Sequence, residues 1–373
     1  VINNLLYTDL DLHDIIVQSP GRTCLFGDHQ DYLGLPVIAC AIDRHISLWA
    51  KKNTRNVLFI DKPDIGEQRT IDLRSVGRPA EKGDYFMAAL RVLETHGCVP
   101  DQGYDITLSG NIAINAGTSS SSAVIMSWIQ FLVTAFGCDE PITNEFISRI
   151  AYEAEVKYHG FPGGKMDQYS IGLGNIIYLE TGEDLSYEVF HKKLPGLIVA
   201  ESGIPKETTG VLGELRQKAQ LAINKVGESI PGFDIKQASR ETFSTYMELV
   251  PEDLKIYFEA AVLNHDVTQR ALLEFRKPTL DFEKIGSLMN EHHMVLRDYL
   301  HITLPLIDEM VEGALDAGAL GAKIVGSGRG GSIVVLAREE EQEKVIAALK
   351  KAGAKDAYAV NVDPGASIIK SKK

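Results

Sequence analysis

Residues 115–123 read NAGTSSSSA and run straight into the apolar stretch VIMSWIQFLVTAF. The first N–H groups of a helix have no intrahelical partner and carry partial positive charge, so a helix start can hold an anion. Gly117 allows close backbone approach, and the run of serines leaves room while offering hydroxyl donors. One serine would be enough to cap a buried helix. Taken alone, the segment fits either a cap or a phosphate loop. It is not a Walker A loop: the nearest candidate, GFPGGK, has the wrong spacing and no Ser or Thr after Lys165. No GxGxxG sits on a strand-to-helix turn either. Two more Gly-rich segments, SPGRTCLFGDHQDYLG at 19–34 and GSGRGGS at 326–332, each lie at the edge of an expected strand. Asp167, in KMDQ, is a carboxylate that could take a proton or orient a hydroxyl, or close an Asx-turn.

In order and content these segments resemble the GHMP kinase superfamily (galactokinase, homoserine, mevalonate and phosphomevalonate kinases), and within it most nearly the galactokinases. The family pattern APGRVNLIGEHTDYNGG is similar to Ser19-Pro20-Gly21-Arg22 through Gly34, GGGLSSSA to residues 116–122, and TGAGFGG to residues 325–331. GGKMDQYS resembles GIMDQFIS, and LMNEHHMVLRDYLHITLPLIDEMV is similar to the helical stretch before the third motif. The likeness runs from about residue 17 to 336.

The resemblance implies an α+β molecule of two domains, an N-terminal ribosomal-protein-S5-domain-2-like domain and a C-terminal ferredoxin-like domain with helices. ATP, Mg²⁺ and a sugar would meet in the cleft between them. Asn115, Ala116, Gly117, Thr118, Ser119, Ser120, Ser121 and Ser122 would wrap the phosphates. Asp167 would be the base, with Arg22 beside it keeping it ionised. Ser121 and Glu155 would hold Mg²⁺, with Glu153 as the competitor on the same helix. Asp28, His29, Asp31 and Gly164 would hold the sugar, and Gly326, Ser327 and Gly328 would form the third Gly-rich motif. A carboxylate accepts two hydroxyl bonds, which suits a polyol. The activity implied is transfer of the γ-phosphoryl group of ATP to the anomeric hydroxyl of galactose or a related sugar. The alternatives are a mevalonate- or homoserine-type kinase, and a catalytically silent regulator that binds sugar and ATP. Departures gather at the substrate end: Asp28 for Glu, Leu33 for Asn, Lys165 for an apolar residue, Arg329 for an aromatic one, and no tyrosine in 202–220.

The elements that must position these residues follow from periodicity. A strand at IIVQ is expected to break at Ser19-Pro20-Gly21, and LPVIACAIDRHISLWAKK to form strands around a turn at 43–45. Helices are expected over DYFMAALRVLETHG, over 123–136, and over TNEFISRIAYEAEVKYHG with Thr143 as cap and Gly160 as stop. A boundary between residues 187 and 188 separates two domains, 1–187 and 188–373. Beyond it come helices at 207–227, 239–248, 251–275, 281–300 and 303–318, then strands flanking GSGRGGS, a helix at 339–352 and a strand at DAYAVNV. His292, His293 and His301 read as structural, because adjacent histidines on a helix point apart.

Bulk properties narrow the partners. The chain has 373 residues, 45% hydrophobic and 24% charged, with a net charge of −13, an ordinary globular composition for about two domains. That charge argues against duplex nucleic acid or an anionic membrane as the main partner. Cys24, Cys40, Cys98 and Cys138 stand singly, with neither zinc-ligand nor disulfide spacing. The first residues lack the pattern of a signal peptide, and no apolar run is long enough to cross a membrane. A cytoplasmic monomer or weak homodimer is expected.

Overall fold

The computed structural model describes residues 13–206 and 209–371. Strands β1 (Ile15–Phe26), β2 (Val37–Lys52), β3 (Val57–Lys62), β4 (Glu67–Asp72), β5 (Tyr104–Gly110), β6 (Ile176–Glu180) and β7 (Ser186–Phe190) form one sheet with β12 (Ser367–Ser371). Its order is β12-β1-β2-β5-β3-β4, with β6 pairing both β2 and β7. Strands β8 (Leu197–Glu201), β9 (Gly321–Val325), β10 (Ser332–Leu336) and β11 (Asp356–Ala359) form a second, antiparallel sheet in the order β11-β8-β10-β9.

Three helices cover one face of the first sheet: α1 (Tyr85–Glu94), α2 (Ser120–Phe136) and α3 (Asn144–Tyr152). Their apolar sides share a core in which Trp128 and Phe131 are fully buried. Next come α4 (Met166–Leu173), α5 (Thr209–Ser229), α6 (Lys255–Phe275), α7 (Phe282–Met294), α8 (Pro305–Asp316) and α9 (Gln342–Lys351). The period-two rule explains how both faces of the central strands β8 and β10 can be apolar. Val334 and Leu336 of β10 join Leu197 and Val199 of β8 in a core that includes Phe26 and Ile38 of the first sheet. The alternate residues Ile333, Val335, Ile198 and Ala200 join Ile307 and Leu349 of α8 and α9. One apolar cluster therefore welds the two sheets together.

Several expectations are corrected. Ser19-Pro20-Gly21 does not break the first strand: β1 runs through it, with a register shift in its pairing to β2 between Pro20 and Gly21. Proline is tolerated because β12 pairs only with residues 15–18, so no ladder bond is required of Pro20 on that edge. Asp43-Arg44-His45 is not a turn between strands but an irregularity inside the continuous β2. Residues 239–248 hold only short 3₁₀ turns, at Phe243–Thr245 and Met247–Leu249. Helix α7 gives way at its C-terminal end to a π-turn at Val295–Tyr299. A division at 187/188 would cut β7, and β12 returns to the first sheet from the far end of the chain. Thr143 caps α3 as expected, its hydroxyl accepting the Phe146 N–H.

Candidate active site

Ser119, the residue before α2, adopts a left-handed conformation (φ 59°) and makes no side-chain cap to its own helix. Its hydroxyl instead donates to Asp167 Oδ2 at 2.7 Å. The loop's carbonyls all turn toward protein. Asn115 O accepts the Lys206 N–H, Ala116 O the Ser332 hydroxyl, Gly117 O the Arg22 guanidinium and Thr118 O the Arg22 N–H. No hydrogen bond from the backbone N–H groups of residues 115–122 is found among the described residues. A loop with its carbonyls tied back and its N–H groups open at a helix start has the polarity of an anion cradle. Gly117 is required here: at φ 89° a Cβ would also press on the Val325 carbonyl of the third Gly-rich segment.

Asp167 lies in the first turn of α4 and lines a cleft of about 510 Å³ that Arg22, Asp31, Glu155, Gly164 and Ser327 also line. Arg22, on β1 and 3% exposed, meets Asp167 Oδ1 through Nε at 2.8 Å and through a terminal nitrogen at 2.7 Å. Burial favours the neutral acid, but Arg22, Lys206 and the Ser119 hydroxyl outweigh it and hold Asp167 below the usual carboxylate range. The group is thus an ionised acceptor 29% open to the cleft.

Glu155 reaches the same cleft from a π-turn at Glu153–Lys157 that follows α3. Such a turn rotates the residues after it relative to a regular helix, and here Glu155 faces inward while Glu153 approaches Arg149. Glu155 Oε1 accepts from Ser122 at 3.0 Å and Oε2 from Gln168 at 2.7 Å. Burial pushes its carboxyl above the usual range. The hydroxyl that touches Glu155 belongs to Ser122, one position beyond the expected Ser121, which lines the cleft nearby.

Asp28, His29 and Asp31 of the first loop all line the cleft, and the first two are also bonded within the protein. Asp28 is 1% exposed; Oδ2 takes the buried Lys323 ammonium at 2.6 Å and Oδ1 the Gly326 N–H at 2.7 Å. His29 uses Nδ1 on the Tyr32 hydroxyl and Nε2 on the Gly326 carbonyl, each at 3.1 Å. Both residues therefore dock the first loop onto the third Gly-rich segment. Asp31 remains turned to the cleft beside Gly164, where a Cβ would overlap its carboxylate. Burial and the neighbouring Asp167 charge raise Asp31 to about 7.

Lys165 turns away from the cleft, its ammonium on the Gly182 carbonyl at 2.6 Å. A second cation lines the cleft beside Arg22: Lys206, which interacts electrostatically with Asp167, Arg22 and Glu155. A single lysine after a strand carries no local signal in the sequence. His292 and His293 are buried, with burial lowering them to about 3 and about 4.

The chain also matches known protein families. Residues 84–175 match the GHMP kinases N terminal domain, residues 270–355 the GHMP kinases C terminal domain, and residues 8–52 the galactokinase galactose-binding signature. The chain belongs to the GHMP kinase superfamily of ATP-dependent kinases. Within it, the chain is 26% identical to a galactokinase of Thermotoga neapolitana, over 90% of this chain and 93% of that protein. It is 27% identical to a mevalonate kinase of Thermococcus gammatolerans, over 88% and 91%. The crystal structure of Lactococcus lactis galactokinase complexed with galactose superposes with a TM-score of 0.83 at 22% identity, covering 95% of this chain and 94% of that one. Among the described residues no helix is long and apolar enough to cross a membrane.

Proposed function

We propose that this chain is a sugar kinase of galactokinase type, transferring the γ-phosphoryl group of ATP to the anomeric hydroxyl of galactose or a close relative. The observation that carries the reading is the bonding of Asp167. Its ionised carboxylate is clamped by Arg22 and by the N-cap serine of the phosphate loop, so acceptor and phosphates share one cleft. Phosphoryl transfer needs an oriented hydroxyl and neutralised charge more than covalent help. Asp167 accepts or orients the acceptor hydroxyl proton, Arg22 and Lys206 offset charge on the transferring group, and the open N–H groups of 115–122 hold the phosphates.

A second, largely apolar cleft of about 310 Å³ adjoins the loop at Ser120 and Ser121, between Ile65, Phe86 and Ile112, and suits a nucleoside base. Mg²⁺ takes hard oxygens and keeps several waters. Glu155 with Ser122, and Ser121 at the cleft wall, fits that requirement, and no cluster of three or more His, Cys, Asp or Glu exists among the described residues to make a fuller cage. Bound there, the ion would neutralise phosphate charge.

The galactose-binding signature and the acidic Asp31 favour a neutral sugar. Lys206, and a relative named as a mevalonate kinase, favour a carboxylate-bearing alcohol as the second reading. ATP consumption across aldoses, polyols, mevalonate and homoserine separates the two. Turnover of a sugar that disappears in Asp167→Asn supports the first, and turnover confined to mevalonate or homoserine overturns it.

A further inference from the structure

We propose that Ser327 reads a hydroxyl of the acceptor and helps set which alcohol the kinase uses, an inference that rests on the proposed function. Ser327 is 5% exposed and lines the cleft, yet its Oγ has no hydrogen-bond partner among the described residues. A buried hydroxyl left unbonded is costly, and its persistence at a cleft wall points to a ligand that completes it.

The surroundings fix where that hydroxyl sits. The residue before it, Gly326, donates its N–H to Asp28 and receives His29 on its carbonyl, and Asp28 is anchored in turn by Lys323. These bonds pin the backbone on which Ser327 stands. Asp28 and His29 line the same cleft as Asp31 and Ser327, so the first loop and the third Gly-rich segment meet the acceptor together. Asp31 and Ser327 line one cleft and bring to it a carboxyl group, and a hydroxyl able both to donate and to accept. That pair suits a neutral polyhydroxy acceptor.

The test uses the purified full chain with Mg·ATP and a panel of galactose, its monodeoxy analogues, other aldoses, mevalonate and homoserine. Ser327→Ala is expected to raise KM for the best acceptor about tenfold or more, while KM for ATP stays within about twofold. One deoxy analogue, poor with the wild type, should lose its disadvantage in the variant. The unliganded variant should melt no lower than wild type, because it loses an unbonded hydroxyl and no contact. An unchanged acceptor KM, an equal rise in both KM values, or a lower melting temperature overturns the inference. If the wild type turns over mevalonate or homoserine but no sugar, the proposed function falls, and the same KM comparison on that alcohol still decides Ser327. With no alcohol turned over, both fall.

Discussion

Two walls of the cleft are built from similar sequence, glycine and small polar residues, and end in opposite states. In the serine loop the carbonyls are tied to Arg22, Lys206 and Ser332, and no hydrogen bond from the N–H groups is found among the described residues. In the first loop Asp28 and His29 are bonded to the third Gly-rich segment while still lining the cleft, and Asp31 lines it beside them. A polar loop becomes a binding surface when the rest of the fold satisfies one half of its hydrogen-bonding groups and leaves the other half. It becomes an internal joint when both halves are satisfied.

The contrast breaks first at Asp167. Asp167→Asn should lower kcat by about 10²–10⁴-fold while ATP binding, measured by calorimetry, persists. Retained turnover would remove the carboxylate from the chemistry. The joint is tested by Lys323→Met, which leaves Asp28 charged and unpaired at 1% exposure. Chemical denaturation should show a loss of about 3–5 kcal/mol, most of it recovered in the double variant with Asp28→Asn. A single variant as stable as wild type would mean that the first loop is not held by this pair.

On the open wall, Glu155→Gln should raise the Mg²⁺ concentration for half-maximal rate roughly tenfold. Ser122→Ala should follow it more closely than Ser121→Ala; the reverse order would return the metal role to Ser121. The smallest effect concerns Asp31. Its folded-state pKa, about 7, lies above that of an unfolded aspartate, so the native state binds the extra proton. Its stabilising contribution is complete below the unfolded value and is lost as pH rises through about 7. Melting temperature should therefore decline over that range in the unliganded protein, and Asp31→Asn should flatten the slope.

Much of the open wall was legible in the sequence, and little of the joint. Arg22, Asp167 and the serine loop carry local patterns that resemble a family, and the structure brings them within hydrogen-bonding distance. That Ser119 bonds Asp167 was not legible, because it depends on a left-handed N-cap that frees the hydroxyl from its helix. The Asp28–Lys323 pair spans 295 positions and has no periodic signature. The continuity of the strand through Pro20 and Gly21 is hidden in the sequence for a related reason. Both residues interrupt strands locally, and only the bulge and the short β12 partner make them acceptable there.

The pairing of β12 with residues 15–18 has a consequence for biosynthesis. A ribosome must release residue 371 before the edge of the first sheet can close, although the rest of that sheet has emerged long before. Until then β1 presents an open ladder to neighbouring chains, a period in which chaperone capture or edge-to-edge association competes with completion of the fold.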